Sequence, residues 1–212
     1  MKKYSLLIFD WDGTLMDSRG YMMKKVKNFD SGLMSAAISA GVGFLEKMRH
    51  QNIDRHYENY YFNQLAKNES GPQLFSGVSS TLQALKDQGY TLVVATSMSR
   101  KSLDTMMQRF QTPEFFSASR CSEETAPKPD PAMLSSLLEE FSFCSDQALM
   151  IGDTENDMLM AQRIGMDRVA MTTGIHDIER LQKYEPIACL DDIQKLTMLL
   201  SPCSARSAGQ AA

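Results

Sequence analysis

Residues Leu6–Ser18, LLIFDWDGTLMDS, constrain the fold more than any other stretch of this chain. Leu6, Leu7, Ile8 and Phe9 form an unbroken apolar run, the pattern of a strand in a parallel sheet covered on both faces. The run stops on two carboxylates, Asp10 and Asp12. Gly13 then lets the chain turn sharply and bring its backbone close to a ligand. Asp10 and Asp12 share a face if the strand runs on unbroken, because alternate side chains do so. A loop turning around an anion also converges them. Acids at the carboxyl end of a central strand sit where open α/β sheets bind ligands. The competing reading is a strand end followed by an Asp-Gly turn with no chemical role.

Beyond Ser18 the pattern is helical to about Lys67. Met22, Met23, Val26 and Phe29 fit one amphipathic helix, and Leu33, Ala37 and Ile38 a second. A helical block of about fifty residues between two strands is an inserted domain, since ordinary connections are short. The expected organisation is a core from 1–18 and 76–200, a helical cap over 19–75, and a disordered small-residue tail over 201–212. Residues 19–75 hold eight Lys/Arg and five Asp/Glu, a net of +3, so the remainder carries −7 of the chain's −4 total. A positive cap over an acidic core would draw in an anionic substrate. Lys24, Lys25 and Lys27 as one solvated helix face is the plainer reading.

The core pattern resumes with Val78, Leu82 and Leu85 on a helix stopped near Gly89. Thr91–Ala95 reads as a second buried strand, ending on Thr96, Ser97 and Met98, with Ser99 as cap of the next helix. Phe115 and Phe116 suggest a short third strand. In Ala126-Pro-Lys-Pro-Asp-Pro131, three prolines stiffen the backbone around Lys128, and Asp130-Pro131 reads as N-cap and first helical residue. Ala148–Ile151 is a fourth strand running into Gly-Asp153-Thr-Glu-Asn-Asp157. A helix starting near Thr154 would place Asp157 in its first turn, facing back toward the strand end. Val169–Met171 and Ile187–Leu190 read as further strands, with helices over Ile175–Leu181 and Asp191–Leu200.

Strands alternating with helices imply an α/β fold, a doubly wound parallel sheet whose carboxyl ends all open on one edge. That edge would gather Asp10, Asp12, Thr96, Ser97, Lys128, Asp153 and Asp157. Clustered carboxylates cannot all stay ionised without a counter-charge. Oxygen ligands select a hard cation, most plausibly Mg²⁺. Thr96 and Lys128 are then suited to a phosphate dianion, which points to phosphoryl transfer. The charge balance does not suggest nucleic acid as a partner. No segment approaches the roughly 20 apolar residues that span a bilayer. Cys121, Cys144, Cys189 and Cys203 lack paired metal-ligand spacing and read as reduced thiols of a cytoplasmic protein. A monomer is the default expectation, with a dimer allowed.

These motifs, in this order, resemble those of the haloacid dehalogenase superfamily: Asp10-Trp-Asp12-Gly-Thr-Leu, the strand ending in Thr96, Lys128 in Lys-Pro-Asp-Pro, and Gly-Asp153-Thr-Glu-Asn-Asp157. The helical insert is similar to the α-helical cap of the phosphoglycolate phosphatase-like subfamily IA. The resemblance covers roughly Tyr4–Leu200 and implies a Rossmann-like core and a Mg²⁺-dependent phosphatase acting on a small phosphate ester. It implies that Asp10 is the nucleophile forming an aspartyl-phosphate and Asp12 the general acid, then base. It gives Asp10, the Asp12 backbone carbonyl and Asp153 as Mg²⁺ ligands, with Asp157 orienting them. Thr96, Ser97 and backbone N–H groups near Trp11, Asp12 and Gly13 would bind phosphate, and Lys128 would hold Asp10. Met98 stands where relatives often carry a cation. The alternatives are a sugar phosphomutase, a phosphonatase with a cap lysine, or a non-catalytic binding module on the same fold.

Overall fold

A computed structural model describes residues 3–18 and 71–201 of the 212-residue chain. The cap expected over 19–75 therefore lies outside the described residues except for 71–75, and the tail except for Ser201.

The first strand, β1 (Leu6–Phe9), is wholly buried and pairs in parallel on both sides. The chain continues through α1 (Val78–Asp87), β2 (Thr91–Ala95), α2 (Arg100–Phe110), β3 (Ala118–Arg120) and α3 (Ala132–Phe141). It closes with β4 (Ala148–Gly152), α4 (Glu155–Gln162), β5 (Asp167–Met171), α5 (Ile178–Gln182), β6 (Ala188–Leu190) and α6 (Lys195–Leu200). The sheet order is β3-β2-β1-β4-β5-β6, every pairing parallel. The order reverses direction at β1 and β4, so the crevice between their carboxyl ends is the expected ligand site.

Alternation along the strands feeds two cores. Leu7, Phe9, Leu92 and Val94 pack toward α1 and α2, whereas Leu6, Ile8, Val93 and Ala95 pack toward α3. Each of the Leu, Ile, Val and Phe side chains, taken fully out of water, contributes about 1.5–3 kcal/mol. Helices on both faces explain why the strands read as continuous apolar runs.

Leu15–Asp17 and Gln73–Phe75 lie side by side. Asp17 N–H donates to the Gln73 carbonyl at 2.8 Å and Phe75 N–H to the Leu15 carbonyl at 2.9 Å. The two ends of the segment between them are thus fastened together on the core.

Several boundaries differ from expectation. Phe115 ends a 3-10 turn, Pro113–Phe115, and the third strand begins at Ala118. Pro113 favours the turn, and Phe115 is buried as core rather than paired in the sheet. Helix α3 starts at Ala132, one residue later than Pro131, although the Asp130 carboxylate still accepts from Ala132 N–H at 2.9 Å. Helix α5 begins at Ile178, capped by Asp177, and α6 covers only Lys195–Leu200. Ser99 caps α2 as its sequence suggests, accepting from Ser102 N–H. No helix of the described residues is long and apolar enough to cross a membrane.

Candidate active site

Strand β1 stops at Phe9, and Asp10 N–H still donates to the Ile151 carbonyl at 2.9 Å, which fixes Asp10 at the β1/β4 crevice. The chain then folds back. Leu15 and Met16 N–H groups both donate to the Trp11 carbonyl, and Gly13 N–H donates to the Met16 carbonyl at 2.8 Å. Gly13 takes φ +80°, open to glycine and costly for other residues. Asp12, on this loop, is half-buried. The strand does not run on unbroken through Asp12, because a turn begins after Asp10.

Strand β4 delivers Asp153, and Thr154 caps α4. The Thr154 hydroxyl accepts from Asp157 N–H, while the Asp157 carboxylate accepts from Thr154 N–H at 3.0 Å. This reciprocal capping box turns Asp157 back toward the strand end. Carboxylate oxygens of Asp10, Asp153 and Asp157 all lie within 4.8 Å of one another, and all three residues are buried. The Asp12 carboxylate is not part of that cluster.

Lys128 reaches this cluster from the loop before α3. Its ammonium donates to Asp10 Oδ1 and Asp157 Oδ1, each at 2.6 Å, with a side chain only 3 % exposed. The loop is held by Asp130 N–H on the Pro127 carbonyl and by Arg163 on the Pro129 carbonyl. Thr96 is buried at the end of β2. Its N–H donates to the Arg120 carbonyl and its hydroxyl oxygen accepts from Met98 N–H at 3.2 Å. Ser97 is half-buried, and Met98 is 2 % exposed, so it belongs to the core.

The sequence reading missed the loop after β5, though a strand end followed by Thr172-Thr173-Gly174 repeats the signature of the other motifs. Thr173 donates its hydroxyl to the Gly13 carbonyl at 2.8 Å, and Ile175 N–H donates to Asp153 Oδ2 at 2.8 Å. Thr14, within the first motif, donates its hydroxyl to Asp153 Oδ1 at 3.2 Å. Three glycines admit the acids. A Cβ on Gly13 would lie 2.4 Å from Asp153 Oδ2, on Gly174 1.8 Å from the same atom, and on Gly152 2.5 Å from Asp157 Cβ. Gly165 has φ +66° but nothing within 4 Å of a Cβ. Gly13→Ala should therefore cost more than Gly165→Ala by about 1–3 kcal/mol in urea denaturation, the overpacking component alone. Equal costs would show that Asp153 yields freely.

The electrostatics of the cluster follow from its burial. Desolvation, opposed by Lys128 and reinforced by the Asp157 charge, pushes the Asp10 carboxyl up to about 6. Burial and then the charges of Asp10 and Asp157 raise the Asp153 carboxyl well above its ordinary value. Burial alone would lower Lys128, but the Asp10 and Asp157 carboxylates outweigh it and hold the ammonium above its usual range. Three carboxylates against one ammonium leave an excess of negative charge. An all-oxygen donor set with that excess fits a hard divalent cation such as Mg²⁺, held by Asp10 and Asp153 while Lys128 and Thr154 occupy Asp157.

A pH dependence follows for the chelated protein. Asp10 and Asp153 bind protons more tightly folded than unfolded, so stability is lost as pH rises through their folded pKa values. Between pH 3.8 and about 6 the chelated protein should lose on the order of 2–3 kcal/mol from Asp10. Asp153 acts in the same direction, while Lys128 titrates above this window. Melting temperatures of the wild type beside Asp10→Asn at constant ionic strength measure this, and parallel profiles across the window would contradict it, since Glu124 and Asp167, whose carboxyls lie below their ordinary values, act in the opposite direction in both proteins. Mg²⁺ should restore stability at neutral pH by mass action.

The chain matches the family model described as haloacid dehalogenase-like hydrolase over residues 7–171. It is 30 % identical to the protein named "Probable phosphatase IndB" of Dickeya dadantii (strain 3937), covering 90 % of this chain and 91 % of that one. It is 28 % identical to the phosphoglycolate phosphatase of Aliivibrio fischeri, over 92 % and 96 % of the two chains. The fold is also that of a solved structure titled a predicted phosphoglycolate phosphatase from Haemophilus somnus 129PT. That match has a TM-score of 0.76 and 24 % identity, and covers 95 % of this chain and all of the other. With six parallel strands in doubly wound order and Asp10, Lys128, Asp153 and Asp157 meeting at the switch point, the chain belongs to the haloacid dehalogenase-like hydrolase family, among its phosphatases.

Proposed function

We propose that this protein is a Mg²⁺-dependent phosphatase of a small phosphorylated metabolite, phosphoglycolate-like or a sugar phosphate, working through an aspartyl-phosphate on Asp10. The observation that carries the reading is the Asp10–Lys128–Asp157 chain of 2.6 Å ion pairs beside Asp153 at the sheet's switch point. The names of the curated relatives supply the substrate class.

Asp10 is the one acid of the cluster at the end of β1, on the loop that carries Gly13. Lys128 keeps it ionised and aimed despite burial, as a nucleophilic carboxylate requires. Asp12 stands on the following turn, with its carboxylate outside the cluster. It serves as the general acid that protonates the leaving oxygen and then as the base that activates water. Thr96 accepts from Met98 N–H, so its own hydroxyl proton remains to donate to a phosphoryl oxygen. Ser97 and the backbone N–H groups of Trp11 and Asp12 complete the phosphoryl cradle; the Gly13 N–H, expected there from the sequence, is committed to the Met16 carbonyl. Bound Mg²⁺ would neutralise charge developing on the transferring phosphoryl group. Asp157, saturated by Lys128 and Thr154, orients these groups without reacting.

The test is release of inorganic phosphate from a panel of phosphorylated metabolites and p-nitrophenyl phosphate, with Mg²⁺ and with chelator. Mg²⁺-dependent release from small esters is expected. A folded protein that releases none would point to a mutase, a phosphonatase or a binding role. Asp12→Asn should keep the fold and lose about 10²–10⁴-fold in turnover. Near-native turnover would remove Asp12 from acid–base chemistry.

A further inference from the structure

We propose that His176 is a positioning residue for the divalent-cation site, acting through the backbone of the loop after β5. The inference rests on the reading above that Asp153 helps to hold the ion.

Both oxygens of Asp153 accept from protein donors, Thr14 on Oδ1 and Ile175 N–H on Oδ2. The Ile175 donor is backbone, so its direction depends on what pins the loop. One pin is Thr173, whose hydroxyl is tied to the Gly13 carbonyl at 2.8 Å. The other is His176, whose Nδ1 accepts from Glu155 N–H at 2.8 Å. That bond makes Nδ1 the unprotonated nitrogen of a neutral ring. His176 is 5 % exposed, so the bond is shielded from competing water.

Glu155 opens α4, and its N–H is one of the helix's unpaired first donors. A residue distant in sequence thus supplies the partner. Arg180, on α5, ties Glu155 in turn through its guanidinium. The Gly174–Ile175 peptide is therefore fastened on both sides, to the first-motif loop and to the start of α4. Gly174 lets that peptide lie against Asp153, where a Cβ would come within 1.8 Å of Oδ2. Loosening His176 would let Ile175 N–H swing from Asp153 and free its carboxylate to rotate. A residue that merely completes the end of α4 would affect stability and leave cation affinity alone.

The experiment titrates Mg²⁺ into substrate-free protein by calorimetry, with the Mg²⁺-induced melting shift as a second readout. His176→Leu removes the acceptor, and His176→Asn places an amide oxygen near the position of Nδ1. Thr173→Val removes only the hydroxyl, and Asp153→Asn is the site control. We expect His176→Leu and Thr173→Val to weaken Mg²⁺ binding by about tenfold or more, with His176→Asn within about threefold of wild type. In turnover assays the KM for Mg²⁺ should rise more than kcat at saturating Mg²⁺ falls.

Wild-type affinity in His176→Leu, with binding abolished in Asp153→Asn, overturns this inference and leaves the cation site standing, whatever Thr173→Val does. If His176→Leu does not fold, His176→Phe, which keeps the ring volume and lacks the acceptor, decides in its place. No binding by the wild type, or binding that survives Asp153→Asn, overturns both the cation-site reading and this inference.

Discussion

Asp10→Asn should yield a folded protein whose turnover is lower by at least about 10³-fold, as expected when a covalent nucleophile is removed. The substitution preserves shape and hydrogen-bonding length, so packing at the end of β1 should hold. Asn lacks the anionic oxygen that attacks phosphorus, and no neighbour can take its place. Asp157 has both oxygens committed to Lys128 and Thr154. Asp153 is pinned by Thr14 and Ile175. Stability of the chelated protein near pH 7 should not fall sharply, because the substitution also removes a charge whose carboxyl burial pushes up to about 6. Phosphate release, with circular dichroism beside it, measures the effect. Acid quenching after mixing with labelled substrate should trap phosphate covalently on the wild type and not on the variant. Turnover within tenfold of wild type would end the nucleophile assignment.

Lys128→Met should be the most destabilising single change at the site, by about 3–5 kcal/mol in the chelated protein at neutral pH. The methionine keeps most of the aliphatic stem and removes the charge. What remains is a buried trio of carboxylates, two of which have lost a 2.6 Å ion pair. Protonation would relieve part of the penalty, so the destabilisation should shrink as pH is lowered toward 5. Turnover should vanish as well, since nothing then holds Asp10 against Asp157. The double variant Lys128→Met/Asp10→Asn removes one charge of each sign. It should recover part of the lost stability, which a double-mutant cycle reads as coupling between the two positions. A Lys128→Met protein within 1 kcal/mol of wild type, on the order of measurement scatter in such comparisons, would mean the cluster is not charged as described.

Much of the candidate site was legible because its chemistry is local. Asp10, Thr96 and Asp153 each follow an apolar run, and Asp157 is tied by a capping box to Thr154, the residue after Asp153. Lys128 declared itself through its flanking prolines. Element boundaries were less legible where aromatic and apolar residues serve either structure. Phe115 reads equally as strand or core, and Pro113 resolved it toward a turn. The closing helices came out shorter because Asp177 caps late and the chain through Asp191–Gln194 is not helical.

The sequence by itself determined the alternation of strands and helices, the parallel sheet and which residues stand at strand ends. Those depend on hydrophobic period and turn chemistry, which act over a few residues. Only the tertiary structure decided the partners: Lys128 bridging Asp10 and Asp157, Thr14 and Ile175 dividing the oxygens of Asp153, and His176 at the start of α4. Those contacts join residues up to 139 positions apart, as Thr14 and Asp153 are. The parallel pairing and the reversal at β1 and β4 bring them to one edge, where burial without a full counter-charge makes each pairing energetically decisive.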